Sequence, residues 1–549
     1  MTGDVTTLRR RRTSAVAVLA VLLALAASSA RPDAARSAAA QPTPAPTPAP
    51  SPSPAAGPVP QQPPLLDQAK VDHAVAQLDG LVQAAMKQTG VPGVAVGVVY
   101  RDKVVFAKGY GVRKAGEPGA VGPDTVFQLA SLSKPLASTV VAGVVGGGKV
   151  AWDDPVIKHD PGFALKDPWV TRHATVADLF AHRSGLPDHA GDLLEDLGFD
   201  RAYILSRLRL EPLAPFRAGY FYTNFGLTAA ALAVAKAAGR SWEDLSAQTL
   251  YQPLGMTDTS SEFADFEKNP DRAVGHVKVG DAWQAKYVRD PQAQSPAGGV
   301  SSTVDDLAKW MRLQLGGGKV DGRQVIDATA LQETHLPHNV AAPPRAPDGP
   351  VGFYGLGFNV GYDEFGRLRL GHSGAFELGA ATNVTMLPGE GLGIVVLTNA
   401  QPIGVAEAVA YNFMDIASYG RQKTDWLPFM LGVLQKMENA DTSRTDYAKP
   451  PANPAAAKPT AAYTGSYANE YYGPLTVTAQ GDRLTMALGP RRQAFPLTHY
   501  DADTFSYQTT GENAVGLDGV TFTVDGSGPA KQLRVAHLDA DGWGTFTRS

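Results

Sequence analysis

The sequence predicts an α/β domain whose sheet takes strands from both ends of the segment, followed by a small all-β domain. Three observations lead there. Residues 93–110 form two β-rich runs around the polar Arg101-Asp102-Lys103, helical patterning dominates from about 131 to 315, and strand character returns at 368–370, 381–386 and 393–397. Strands at both ends with helices between share one core when the sheet brings the ends together. Past residue 460, short alternating runs at 475–478, 484–488, 520–524 and 533–538 are separated by turn clusters such as Gln480-Gly481-Asp482. Such spacing predicts an all-β barrel or sandwich.

Taken in order, the 549 residues open on the basic cluster Arg9–Arg12, an apolar run at 15–27 and small residues ending at Ala30. A charged head, a short apolar stretch and a small-residue exit predict a secretory signal peptide over 1–30, since the run falls short of the ~20 residues that span a bilayer. The expected location is therefore secreted or periplasmic, in a bacterial envelope, with membrane contact through this signal alone. The export route and the cleavage of the signal stay open. Residues 31–65 are a Pro/Ala-rich linker, extended and stiff where proline recurs over 41–64. The globular pattern occupies 66–436. There Val71, Val75, Leu78, Leu81 and Val82 mark a helix stopped by Gly90, 93–100 and 104–110 make a hairpin, and 405–416 reads as a closing helix. A second linker at 437–460 precedes the β domain at 461–549.

Composition removes several function classes. A formal net charge of −4 gives no basic field for nucleic acid. Cysteine is absent, which excludes disulfides, thiolate metal sites and a thiol nucleophile. Histidines are scattered and no His-Glu-x-x-His occurs, so neither a metal nor another cofactor is expected.

Three short motifs carry chemistry. Ser131-Leu132-Ser133-Lys134 is the only Ser-x-x-Lys in the chain. Chance alone supplies about one such match in a chain of this length, so its setting carries the weight. Pro135 requires a helix start, which places a helix from near Ser131 through Val144. Residues three apart share a face, bringing the Lys134 amine towards the Ser131 hydroxyl. A crowded, partly desolvated lysine can lose its proton and serve as a base. Tyr222-Thr223-Asn224 adds a phenol, which a neighbouring ammonium would push towards phenolate, and an amide able to reach Lys134 or a substrate. Tyr467-Ala468-Asn469 repeats that pattern in the β domain and reads as structural. His372-Ser373-Gly374-Ala375 follows a strand-like run. There Gly374 would let a substrate lie along the strand, and the Ala375 N–H with the Ser131 N–H would form an oxyanion hole worth roughly 3–4 kcal/mol. The run from Gly143 to Lys149 resembles a phosphate loop but lacks its Ser or Thr and follows a helix, so it reads as a helix-ending turn.

Together, Phe127-Gln128-Leu129-Ala130-Ser131-Leu132-Ser133-Lys134, Tyr222-Thr223-Asn224 and His372-Ser373-Gly374 resemble the class C β-lactamase and penicillin-binding-protein-like serine hydrolases. Ala181-His182-Arg183-Ser184-Gly185-Leu186-Pro187, Pro253-Leu254-Gly255-Met256-Thr257 and Gly298-Gly299-Val300-Ser301-Ser302 extend the likeness over about 68–420. The resemblance implies a β-lactamase-like fold, an antiparallel sheet flanked by helices plus an all-helical region, with a C-terminal segment similar to appended lipocalin-like domains. It also implies acyl transfer: Ser131 attacks a carbonyl, Lys134 or Tyr222 takes its proton, and Asn224, His372, Ser373, Gly374 and Ala375 line the substrate site. The implied partner is a small-molecule or peptide substrate, with D-amino-acid peptides or amides and small esters leading. A class C-type β-lactamase and a penicillin-binding sensor that acylates with little turnover remain alternatives. The C-terminal domain could cap the site, mediate oligomerisation or bind wall polymer. One departure stands out: His372-Ser373-Gly374 replaces the Lys-Thr-Gly of class C enzymes, and a histidine of ordinary pKa ~6.5 supplies no fixed cation at neutral pH.

Overall fold

A computed structural model describes residues 65–549 apart from 442 and 444, so the expected signal peptide and nearly all of the first linker lie outside the described residues. The first helix, α1 (Gln68–Thr89), begins where the Asp67 side chain accepts from the Lys70 N–H and ends at Gly90, whose φ of 72° suits glycine. Its buried stripe of Val71, Ala74, Leu78, Val82 and Ala85 lies against α5 (Val405–Tyr419).

The main sheet has eight antiparallel strands. They are β1 (Gly93–Tyr100), β2 (Lys103–Gly111), β3 (Asn339–Ala342), β4 (Gly352–Tyr354), β5 (Asn359–Tyr362), β6 (Leu368–Phe376), β7 (Ala380–Leu387) and β8 (Leu392–Thr398). Their spatial order is β2-β1-β8-β7-β6-β5-β4-β3. Val94 opposite Thr398 and Tyr100 opposite Leu392 set the register of β1 on β8, so the two ends of the domain do pair. All eight residues of β1 are buried. Val94, Val96 and Val98 face the core shared with α1 and α5, and Ala95 and Val99 face the core shared with α4 (Val304–Leu315). A strand covered on both faces needs apolar residues without alternation, as its sequence has.

The helical region lies on the α4 side. The helix expected at Ser131 starts as one 3-10 turn, Ala130–Leu132, and becomes α2 (Ser133–Gly146). Pro135 sits in its first turn, where the missing N–H costs no intrahelical bond. The glycine run near 143–149 ends this helix, with Gly148 at φ 72°. Buried Asn224 opens α3 (Asn224–Ala238), which ends at Gly239 with φ 71°. Helix α6 (Trp426–Asp441) runs past residue 437, into the stretch read from sequence as linker.

The C-terminal segment is a closed eight-stranded barrel. Its strands are β9 (Gly465–Asn469), β10 (Gly473–Gln480), β11 (Arg483–Leu488), β12 (Gln493–Asp501), β13 (Thr504–Gln508), β14 (Leu517–Thr523), β15 (Gln532–Val535) and β16 (Thr545–Arg548). Pairing of β9 with β16 closes it and removes both sheet edges. Tyr467 and Asn469 are structural here. The Tyr467 hydroxyl donates to the Tyr463 carbonyl at 2.7 Å, and the Asn469 amide to the Trp543 carbonyl at 2.6 Å. The barrel sits directly on the first domain. Tyr203 donates to the Tyr471 carbonyl at 3.1 Å, Arg209 pairs with Glu470 at 2.7 Å, and buried Glu211 accepts from the Tyr471 hydroxyl.

Candidate active site

The turn at Ala130–Leu132 carries Ser131 at the foot of α2, with Ala130 held at φ 49°, a conformation unfavourable to a residue with a side chain. Lys134 follows one turn later and is fully buried; Ser131 is 7% exposed and Tyr222 1%. The Lys134 Nζ lies 3.0 Å from the Ser131 Oγ, 2.7 Å from the Asn224 Oδ1 and 3.0 Å from the Ala297 carbonyl. The Tyr222 hydroxyl donates to the Ser131 Oγ at 2.9 Å. The hydroxyl, amine and phenol singled out from sequence thus meet at one point, 91 residues of chain having closed between Ser131 and Tyr222.

Burial pushes the Lys134 amine down to about 7, with the Asp192 carboxylate pulling the other way. Two of its three contacts, the Asn224 Oδ1 and the Ala297 carbonyl, only accept. A neutral amine therefore spends both hydrogens there and turns its lone pair to the Ser131 hydroxyl. Tyr222 goes the other way. Burial pushes its phenol well up, outweighing the hydrogen bond to Ser131, so the sequence-based expectation of a phenol shifted towards phenolate does not hold. The reason is that burial penalises the phenolate, and the Asp192 carboxylate adds to that penalty.

Asn224 has both amide ends engaged, its Nδ2 donating to the Asp192 Oδ2 at 2.9 Å. A carboxylate accepts only, so Asp192 fixes which way the amide points and keeps the oxygen on Lys134. His189 holds the same Asp192 oxygen at 2.8 Å and donates its backbone N–H to the Tyr222 carbonyl. Asp192 has no sequence signature. Asp192→Asn is expected to lower kcat/KM about 10- to 100-fold and to move the acid limb of the pH–rate profile downwards, because Lys134 loses the charge that opposes its loss of a proton. A pH–rate profile of the variant checks this.

His182, inside the Ala181–Pro187 phrase, was given no role by sequence; its ring lies 4.6 Å from that of Tyr222 and its Nδ1 accepts from the Thr223 N–H. Arg217 stands in the Phe216–Gly219 segment. It is clamped on buried Asp178 at 2.8 Å, as is Arg183.

His372 lies on β6, its ring centroid 6.5 Å from that of Tyr222. Its Nδ1 is 2.6 Å from the Ser373 carbonyl, which can only accept, so Nδ1 carries the hydrogen and Nε2 accepts from the Tyr354 hydroxyl at 2.9 Å. Burial, then Lys134, push this imidazole down to about 3. It is neutral, with both nitrogens occupied. Ser373 opposes Asn383 across the sheet and accepts from its amide at 3.0 Å, on the face covered by α5 and Glu407. Its hydroxyl is thus turned to the sheet's helical cover and not to Ser131. Gly374 also differs from expectation. A Cβ there would lie 2.1 Å from the Leu129 carbonyl, so the glycine admits the turn that carries Ser131 rather than a substrate. That close approach brings Ala375, the next residue on β6, beside the same turn. Among the described residues no group of His, Asp or Glu could hold a metal ion.

The family model for Beta-lactamase matches residues 78–417, more than half of the chain and all of the residues above. The chain belongs to the Beta-lactamase family. It is a β-lactamase/penicillin-binding-protein-like serine hydrolase, and residues 449–544 match a domain of unknown function, DUF3471. Curated relatives of this Beta-lactamase-family chain include an unguisins hydrolase from Aspergillus violaceofuscus, 24% identical over 72% of this chain and 75% of its own length. Another is penicillin-binding protein 4 from Amycolatopsis lactamdurans, 28% identical over 56% of this chain and 81% of its own. Among solved structures, the octameric penicillin-binding protein homologue from Pyrococcus abyssi matches with a TM-score of 0.54 at 19% identity, covering 86% of this chain and all of that one. A class C β-lactamase from Rhodobacter sphaeroides matches with a TM-score of 0.51 at 21% identity, covering 62% and 98%. These two share its fold.

Proposed function

We propose that this chain is an exported serine hydrolase that works through an acyl-Ser131 intermediate on ester or amide bonds. The observation that carries the reading is the Lys134 amine, buried and 3.0 Å from the Ser131 Oγ, with its other two contacts both acceptors. Lys134 takes the Ser131 proton as the oxygen attacks a carbonyl carbon. The negative oxygen that results rests on the backbone N–H groups of Ser131 and Ala375. As the tetrahedral species collapses, the Tyr222 hydroxyl gives its proton to the leaving group and is reprotonated by the Lys134 ammonium. Water then attacks the ester with the same groups working in reverse.

A neutral His372 supplies no cation for the carboxylate of a β-lactam, which favours D-amino-acid amides or peptides and small esters as substrates. Relatives named for hydrolysing unguisins and for binding penicillin fit an acyl-transfer role of this breadth. The Arg9–Arg12 cluster and the apolar run behind it support export.

Treatment with a fluorophosphonate, followed by intact-mass analysis and peptide mapping, is expected to give one adduct, on Ser131. No adduct, or an adduct elsewhere, overturns the reading. Sustained turnover of D-alanyl anilides or p-nitrophenyl esters is the expected companion result. Rapid turnover of nitrocefin would instead mark a β-lactamase, and a single burst without turnover a penicillin-binding sensor.

A further inference from the structure

The barrel segment 509–516, between β13 and β14, reaches across to the first domain beside the end of β6. On one side, the N–H groups of Glu512 and Asn513 donate to the two oxygens of Asp196 at 2.8 and 2.9 Å. Gly511 lies so close that a Cβ on it would be 2.5 Å from the Asp196 carboxyl carbon. Asp196 closes the same short helix, Asp192–Asp196, whose first residue orients Asn224. On the other side, the Glu512 carboxylate accepts from the N–H groups of Glu377 at 2.5 Å and Leu378 at 3.4 Å, the residues that follow β6. Arg289 joins the two sides. Its guanidinium pairs with Glu195 at 2.5 Å, lies 3.7 Å from Glu512 and sits 4.8 Å over the Phe376 ring.

Strand β6 pairs with β5 only over 368–371, whereas it pairs with β7 over 370–376. One edge of β6 is therefore without a strand partner from His372 to Phe376 among the described residues, and Glu512 takes the next two N–H groups. An extended substrate adds to such an edge through its backbone. If Tyr222 serves the leaving group, that group lies at the Tyr222–His372 end. The acyl part then runs towards Phe376. From Ala375 to Glu377 is two residues, roughly 7 Å of strand, enough for about two amino-acid units and no more.

We propose that the 509–516 segment of the C-terminal barrel is the wall that ends the acyl side of this cleft and restricts the enzyme to short acyl groups. The proposal rests on the acyl-serine reading above and gives the DUF3471 domain a part in selecting the substrate. A segment that only glued the barrel in place would leave the preference among acyl lengths unchanged.

The test uses the full chain with two variants, one with residues 510–515 replaced by two glycines and one with Glu512→Ala. The rates measured are kcat/KM for p-nitrophenyl acetate, butyrate and octanoate. The ratio of octanoate to acetate is expected to rise at least ~10-fold in the first variant and about 3-fold in the second, with acetate little changed. An unchanged ratio in a variant that still hydrolyses acetate overturns the proposal. Should the first variant lose acetate hydrolysis as well, the ratio in Glu512→Ala decides alone. Failure of the wild type to hydrolyse any of the esters or to take a fluorophosphonate would instead sink the acyl-serine reading.

Discussion

Ser131→Ala is expected to abolish hydrolysis, with kcat falling on the order of 10⁵-fold or more, and to remove fluorophosphonate labelling altogether. Among the described residues the hydroxyl is the only group placed to attack within reach of both Lys134 and Tyr222. The nearby alternative, Ser133, spends its Oγ accepting from the Val300 N–H at 3.0 Å and is fully buried. Removing one oxygen from a small side chain leaves no large cavity, and the thermal midpoint should move little. Loss of label with an unchanged midpoint separates a missing nucleophile from a damaged fold. Label that survives the substitution would mean another serine reacts.

Lys134→Met is expected to lower kcat/KM about 10³- to 10⁴-fold, the upper part of the range a positioned general base supplies. Methionine keeps the length and the burial but has no lone pair to take the Ser131 proton. The pH dependence gives the sharper readout. With the amine held at about 7, the wild type should gain activity as pH rises through that value, because the neutral amine is the base. Below it, Lys134 is protonated and the Ser131 proton has no acceptor. The methionine variant should lose that limb. Lys134→Arg should be as inactive at every pH, since a guanidinium stays charged. A wild-type profile that is flat from pH 5 to 9 would show that the amine does not act as the base. Asp192 stands apart from this pair, since it reaches Lys134 through its charge and through the Asn224 amide and touches neither reacting atom.

How much of this was legible in the sequence depends on how local each feature is. The helix that stops at Gly90, the hairpin after it and the Ser131–Lys134 pair are set by contacts a few residues apart, so spacing alone places them. Tyr222, Asn224 and His372 were found by residue type and order, but their roles depended on the pocket they enter. Ser373 shows why: on a strand, one residue decides which face a hydroxyl takes, and here the partner is Asn383 on the next strand. His182 and Asp192 carry no spacing signal, since each matters only through a ring or an amide brought from more than 30 residues away. The barrel showed in the alternation of its short strands, yet the reach of Glu512 to the end of β6 did not.

The amino-acid sequence by itself determined which groups this protein has for acyl transfer, and that two of them stand one helical turn apart. Only the tertiary structure decided their protonation, because that depends on how much water the packed helices exclude: the same burial that brings Lys134 down to about 7 keeps the proton on Tyr222. It alone also decided what meets the end of β6, since that contact joins residues more than 100 apart in the chain.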